Sequence, residues 1–197
     1  MSQATAVPSQ EQAPPTDPVS LSKGRSTLIG FSTPRSFNPV SWIVRSFTKS
    51  EASHCFFLYW DDDFECDMVL ESHELGFRLI TWKRFVKKNR IVALVEPAHP
   101  LDKGFLRLGE WVGSVYDFGG LIGQSVVQFG RFLQRKWRNP FRSSRAMFCS
   151  ESIARCMQWA DHPDAKSFSP KETAPQDLLV FYRQPGRATI LDIQRWK

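Results

Sequence analysis

Two apolar runs, residues 54–60 and 68–72, are separated only by a short stretch carrying Asp61, Asp62, Asp63, Glu65 and Asp67. Both runs read as strands: each is short, rich in aromatic and branched side chains, and bounded by polar residues. A parallel crossover takes about a dozen residues or more, so this connection makes the pair antiparallel. Strand alternation then puts Glu71 and His73 on one face, from which either can reach His54 on the neighbouring strand.

Further strands are expected at 27–31, at 77–82 and at 90–95, where Pro97 and Pro100 end the run. A loop is expected from Pro34 to Pro39, followed by a helix over 40–47 with Val40, Ile43, Val44 and Phe47 at helical spacing. Residues 101–114 repeat that spacing through Leu101, Phe105, Leu108, Trp111 and Val112, with Gly113 as the stop. A third helix, the basic amphipathic 125–138, sets Val126, Phe129, Phe132 and Leu133 against Arg131, Arg135, Lys136 and Arg138. A fourth starts at Cys149 and is stopped by His162-Pro163. Residues 175–182 read as a turn and a strand, and 188–193 as an edge strand.

A chain of 197 residues with 42% apolar content can build one sizeable core. Residues 1–25 hold Pro8, Pro14, Pro15 and Pro18 and no aromatic side chain, so they read as a disordered arm ahead of a single domain, 26–197. No secretory leader and no membrane-length apolar run is visible, which suits a protein that is cytoplasmic as synthesised. Cys55, Cys66, Cys149 and Cys156 show no C-x-x-C spacing and no disulfide framework. The absent C-x-x-C spacing argues against a zinc site, and the turn Gly119-Gly120-Leu121-Ile122-Gly123 lacks the lysine of a phosphate loop, so neither a metal nor a nucleotide cofactor is expected. The net charge of +6 equals the six cations between residues 118 and 150, where there is no acid. That concentration suits contact of helix 125–138 with an anionic surface, while no nucleic-acid module accompanies it.

Cys149 is the candidate nucleophile. A thiol at a helix start faces unpaired backbone N–H groups and the positive end of the macrodipole, which favour thiolate. His54, heading a buried strand, is the candidate base. Glu71 or His73 is placed to orient its ring; alternatively, Glu71 pairs with a surface Arg or Lys. Cys156 should be a buried, inert thiol two turns further along the helix, and Glu151 an ordinary complement to the dipole. Cys55 directly follows His54, and alternation sends its side chain to the other face, away from the site. Trp60 and Trp82 read as core or as the walls of a substrate groove.

In order, Ser53-His54, Val69-Leu70-Glu71-Ser72, Tyr116-Asp117-Phe118-Gly119-Gly120-Leu121-Ile122-Gly123 and Phe148-Cys149-Ser150-Glu151 resemble motifs of the circularly permuted papain-like enzymes. These are relatives of the NlpC-type cell-wall peptidases and of lecithin:retinol acyltransferase. The likeness spans about residues 26–183. It implies an α+β fold with an antiparallel sheet packed against a helix whose N-terminus carries the cysteine. It also implies a cysteine hydrolase acting on an amide, with Cys149 as nucleophile, His54 as base, Glu71 as orienting residue, and Tyr116 and Asp117 in an architectural role. Cell-wall peptides of bacteria, reached by way of a phage, are one substrate class. A lipid thioesterase or acyltransferase with the same dyad, or a binding or virion-structural protein that keeps the fold, are the alternatives.

Overall fold

The computed structural model describes residues 20–36, 50–73, 76–114 and 148–194. The helices expected at 40–47 and 125–138, and the turn that includes Tyr116 and Asp117, lie outside these residues. In chain order the described elements are β1 (Leu28–Pro34), β2 (His54–Asp61), β3 (Cys66–His73), β4 (Gly76–Thr81), α1 (Trp82–Lys88), β5 (Asn89–Pro97) and α2 (Asp102–Leu108). After them come α3 (Cys149–Trp159), α4 (Pro175–Tyr182) and β6 (Ala188–Ile190), with 3-10 turns at Gly109–Trp111 and Ala165–Ser167.

The strands form one α+β sheet in the order β4-β3-β2-β1-β5-β6, and every pairing in it is antiparallel. The acidic stretch makes the β2–β3 hairpin. The Asp61 carboxylate accepts the N–H groups of Asp63 at 3.1 Å and Phe64 at 3.0 Å, and Glu65 takes a left-handed φ of 46° to close the turn. Asp67, just beyond it, accepts the Ser20 hydroxyl and the Leu21 N–H, both at 2.9 Å, and the Ser22 N–H at 3.1 Å. Residues 20–22, assigned by composition to the arm, are therefore held against this hairpin, and Arg25 pairs with Glu96 of β5 at 2.6 Å.

Each face of the sheet carries its own apolar layer. On one, Ile29, Phe31, Cys55, Phe57, Leu70 and Val95 pack against Leu108 of α2, Ile153 and Met157 of α3, and Leu178 and Tyr182 of α4. On the other, Leu28, Phe56, Leu58, Val69 and Leu94 pack against Trp82 and Phe85 of α1. Phe56 lies flat across β1 because its register partner is Gly30. A Cβ there would sit 2.0 Å from the Phe56 ring tip, so no larger residue fits without moving the ring.

Two elements differ from the sequence reading. Residues 175–182 form a helix and not a turn and strand. Pro175 takes the first helical position, and the Asp177 carboxylate accepts the Ala174 N–H at 2.9 Å. Leu178, Leu179, Phe181 and Tyr182 are all buried there, and a short, nearly continuous apolar run has no period that separates strand from buried helix. Strand β4 ends at Thr81, and Trp82 opens α1, where Trp82 and Phe85 are three apart on the buried side. Among the described residues no helix is long and apolar enough to cross a membrane.

Replacing Gly30 by Ala should displace Phe56 and lower stability by about 1–3 kcal/mol, the usual range for overpacking. Urea unfolding reads this directly, and an unchanged midpoint would mean that Phe56 does not occupy the space over β1.

Candidate active site

His54 is the first residue of β2, Glu71 lies on β3, and Arg78 on β4 is the register partner of Glu71. All three point to the face covered by α1. The His54 Nε2–H donates to Glu71 Oε2 at 2.7 Å. Arg78 donates from Nε at 3.0 Å and from Nη2 at 2.7 Å to the other oxygen, Oε1. The alternatives left open by the sequence are thus both satisfied: Glu71 holds the histidine and an arginine together. His73, at the end of β3, pairs in register with Gly76, and Glu71 is the residue on His54 Nε2.

Cys149 opens α3, which lies on the opposite face of the sheet. Phe148 precedes it in an extended conformation, and the Ser152 N–H returns to the Phe148 carbonyl at 3.1 Å as the first helical bond. The N–H groups of the first turn, beside the thiol, have no acceptor within the helix. Side chains pin this end. The Ser150 hydroxyl donates to the Thr173 carbonyl at 2.6 Å, and buried Glu151 accepts Arg155 Nε and Lys171 Nζ, each at 2.9 Å. Glu151 is accordingly an anchor for the 169–174 segment as well as a first-turn acid. Burial raises its carboxyl above the usual range in spite of the two cations.

His54 stands at the first position of its strand, and its ring is coupled to the thiol. Its centroid lies 6.4 Å from Phe56 and 6.3 Å from Phe85 on the α1 side, yet it hydrogen-bonds Cys149. With Nε2 on Glu71, the remaining ring nitrogen is the one for sulfur. Cys55 differs from expectation. It does point away from the His54 face, but that is the face α3 occupies, so its thiol and its backbone N–H both bond to the Cys149 sulfur.

The electrostatics follow from these contacts. Cys149 is held well below the ordinary thiol range, first by the hydrogen bond from Cys55, against opposing burial, and then by the bond and charge of His54. Burial pushes the Cys55 thiol up, and the Cys149 charge adds to it, so Cys55 is the donor of the pair. For His54, burial favours the neutral ring, but bonds to Cys149 and Glu71 and their charges outweigh it and raise the imidazole to about 10. Burial likewise opposes ionisation of Glu71, whose side chain is 2% exposed, but His54 and Arg78 pull its carboxyl down to about 2. Charge therefore alternates along one row: thiolate, imidazolium, carboxylate, guanidinium. Cys156 is buried, and desolvation raises its thiol far out of the reactive range.

Sequence reasoning missed Arg78 and the role of Cys55. The first was hidden in the register of the β3–β4 pair, and the second in which face the cysteine helix would take. Trp82 is core under α1, while Trp60 lies towards the far end of β2 with Lys23 over its ring at 4.6 Å. Among the described residues no three His, Cys, Asp or Glu side chains gather to hold a metal ion. In comparisons with known proteins, no family model and no curated protein matches the chain.

Two outcomes are expected. Glu71 is ionised in the fold down to about 2 against 4.5 when unfolded, so it contributes stability above 4.5 that is lost as pH falls towards 2. Glu71→Gln should destabilise by about 3 kcal/mol near neutral pH. The gap from wild type should close on acidification through that window, as read by denaturant midpoints, and a gap independent of pH would contradict the ion row. Separately, Cys55→Ala should move the pH at which Cys149 is half-labelled by iodoacetamide up by about one pH unit, the worth of one hydrogen bond to a charge. His54→Ala should move it further. Peptide mass mapping of the four cysteines checks both, and an unmoved Cys149 profile would remove Cys55 from the site.

Proposed function

We propose that this chain is a cysteine-dependent hydrolase of the circularly permuted papain-like class, cleaving an amide through an acyl-enzyme on Cys149. The observation that carries the reading is the alternating charge row, in which a helix-start thiol, a strand imidazole and a buried carboxylate are joined in sequence. The order along the chain, histidine strand before cysteine helix, supports the permuted arrangement. A cell-wall peptide is the amide substrate favoured by the motif resemblance.

The steps follow from the positions of the groups. The Cys149 thiolate adds to the carbonyl carbon, and the carbonyl electron pair moves to oxygen, where the first-turn N–H groups of α3 receive the oxyanion. As the oxyanion collapses, the C–N bond breaks and the His54 imidazolium gives its proton to the leaving amine. His54, now neutral, takes a proton from water as water attacks the thioester, which returns the acid product, the thiolate and the imidazolium. Glu71 keeps the ring oriented and stabilises its cationic form. Arg78 holds Glu71 ionised and fixed, so it is a positioning residue.

The test is turnover of purified muropeptides by the full chain, followed by mass spectrometry. Wild type should release a free amine and carry a transient acyl adduct on Cys149. His54→Ala should lose about 10²–10⁴-fold in rate, and Cys149→Ala should be inactive. If Cys149→Ala turns over substrate as fast as wild type, the nucleophile is assigned to the wrong residue.

A further inference from the structure

Helix α1 carries a charge pattern that the proposed chemistry does not use. Residues 82–90 include Lys83, Arg84, Lys87, Lys88 and Arg90 and no acid, and all five cations are exposed. A sixth, Arg35, is added from just beyond β1. Its N–H donates to the Lys88 carbonyl at 2.9 Å and its Nε to the Val86 carbonyl at 3.2 Å. Among the described residues the cations in ion pairs are Arg25, His54, Arg78, Arg155, His162, Lys171, Arg183 and Arg187, so none of the six is neutralised by a carboxylate.

Fold stability explains only part of this set. Lys87, Lys88 and Arg35 lie at the C-terminal end of α1, where cations complement the dipole. Lys83 and Arg84 lie in the first turn, which holds no acid, and there the dipole repels them. Lys83 with Lys87, and Arg84 with Lys88, are also like charges four residues apart, an arrangement that weakens a helix. Lys83 and Arg84 are therefore held against the preference of the helix itself, and with Lys87 and Lys88 they make a face suited to meet negative charge.

The location narrows the partner. Ser32 of β1 is the register partner of His54, and Pro34 that of Asn89, so the C-terminal end of α1, Arg35 and Arg90 lie at the His54 end of the sheet. The acidic turn lies at the opposite end of β2. The cations at the C-terminal end of α1, with Arg35 and Arg90, therefore stand at the candidate-site end of the strands, away from the acidic turn. The patch occupies the outer side of a helix packed on a sheet. Its large apolar side chains, Trp82 and Phe85, are turned into the core, so among the described residues α1 itself offers nothing aromatic to stack on bases or insert between lipid tails.

We propose that α1 together with Arg35 and Arg90 is a docking face for an anionic phospholipid surface, held by headgroup charge alone. The face draws on none of the cations of the basic segment 131–145 noted in the sequence, and it does not depend on the chemistry at Cys149.

The experiment is co-sedimentation of the full chain with phosphatidylcholine vesicles, with and without phosphatidylserine, at low and physiological salt. Wild type should bind only the phosphatidylserine vesicles, and salt should weaken it as charges are screened. Each of the double variants Lys83→Gln/Arg84→Gln and Lys87→Gln/Lys88→Gln should lower partitioning about 30-fold, at the usual worth of a cation near such a surface. The first should also keep or raise the melting temperature, which separates lost docking from lost fold. Arg135→Gln/Lys136→Gln serves as the internal comparison. If that variant removes binding while both α1 variants bind as wild type, the docking face is not α1. Equal binding to uncharged vesicles, or an α1-dependent preference for a single-stranded oligonucleotide over the vesicles, would likewise overturn the proposal.

Discussion

The carboxylate of Glu71 is the charge on which the arrangement rests. A buried carboxylate is tolerated only when both oxygens are engaged, and here the two serve different cations, His54 and Arg78. Register produces this pairing. Arg78 is directly opposite Glu71 on β4, while His54 reaches it diagonally from β2, so one residue of strand slippage would turn Glu71 to the other face. The same carboxylate keeps the imidazole charged, and the charged imidazole helps to keep the Cys149 thiol ionised. A row of alternating charges at a partly dry sheet edge needs each member, because removing any one leaves its neighbours buried with an unmatched charge.

The thiol joins the row from a different layer. Helix α3 lies across the sheet from His54, and only the position of both residues at the ends of their elements lets them meet. This explains why the start of α3 is fixed by so many side-chain bonds, from Ser150, Glu151 and Lys171, while the rest of the helix is held by packing. It also accounts for Cys55, which stands on the α3 face next to His54 and can place a thiol hydrogen and a backbone N–H on the same sulfur.

Much of this was legible in the residues. The acidic turn dictated an antiparallel hairpin, alternation put Glu71 within reach of His54, and the helix starting at Cys149 was expected from the residues. Those inferences use only local chain geometry. What escaped the sequence depended on how elements assemble. Arg78 looked like any strand arginine until the β3–β4 register set it opposite Glu71. Cys55 was assigned correctly to the far side of its strand, but which side counted as far depended on where α3 docked. Helices α1 and α4 were hidden for a different reason: each is two turns long, and with so few residues the helical and strand periods cannot be told apart.

The spacing of these groups along the chain also bears on when the site comes into being. Glu71 follows His54 by 17 residues and Arg78 follows Glu71 by 7, so the imidazole, carboxylate and guanidinium belong to neighbouring hairpins that close with little loss of chain entropy. Cys149 comes from a distant segment and docks only after a much larger loop has closed. Until then its sulfur lacks its hydrogen-bond donors and remains an ordinary, protonated thiol. Ionisation of the thiol is thereby tied to completion of the fold, and a partly folded chain would carry the imidazole and its supports without a thiolate beside them.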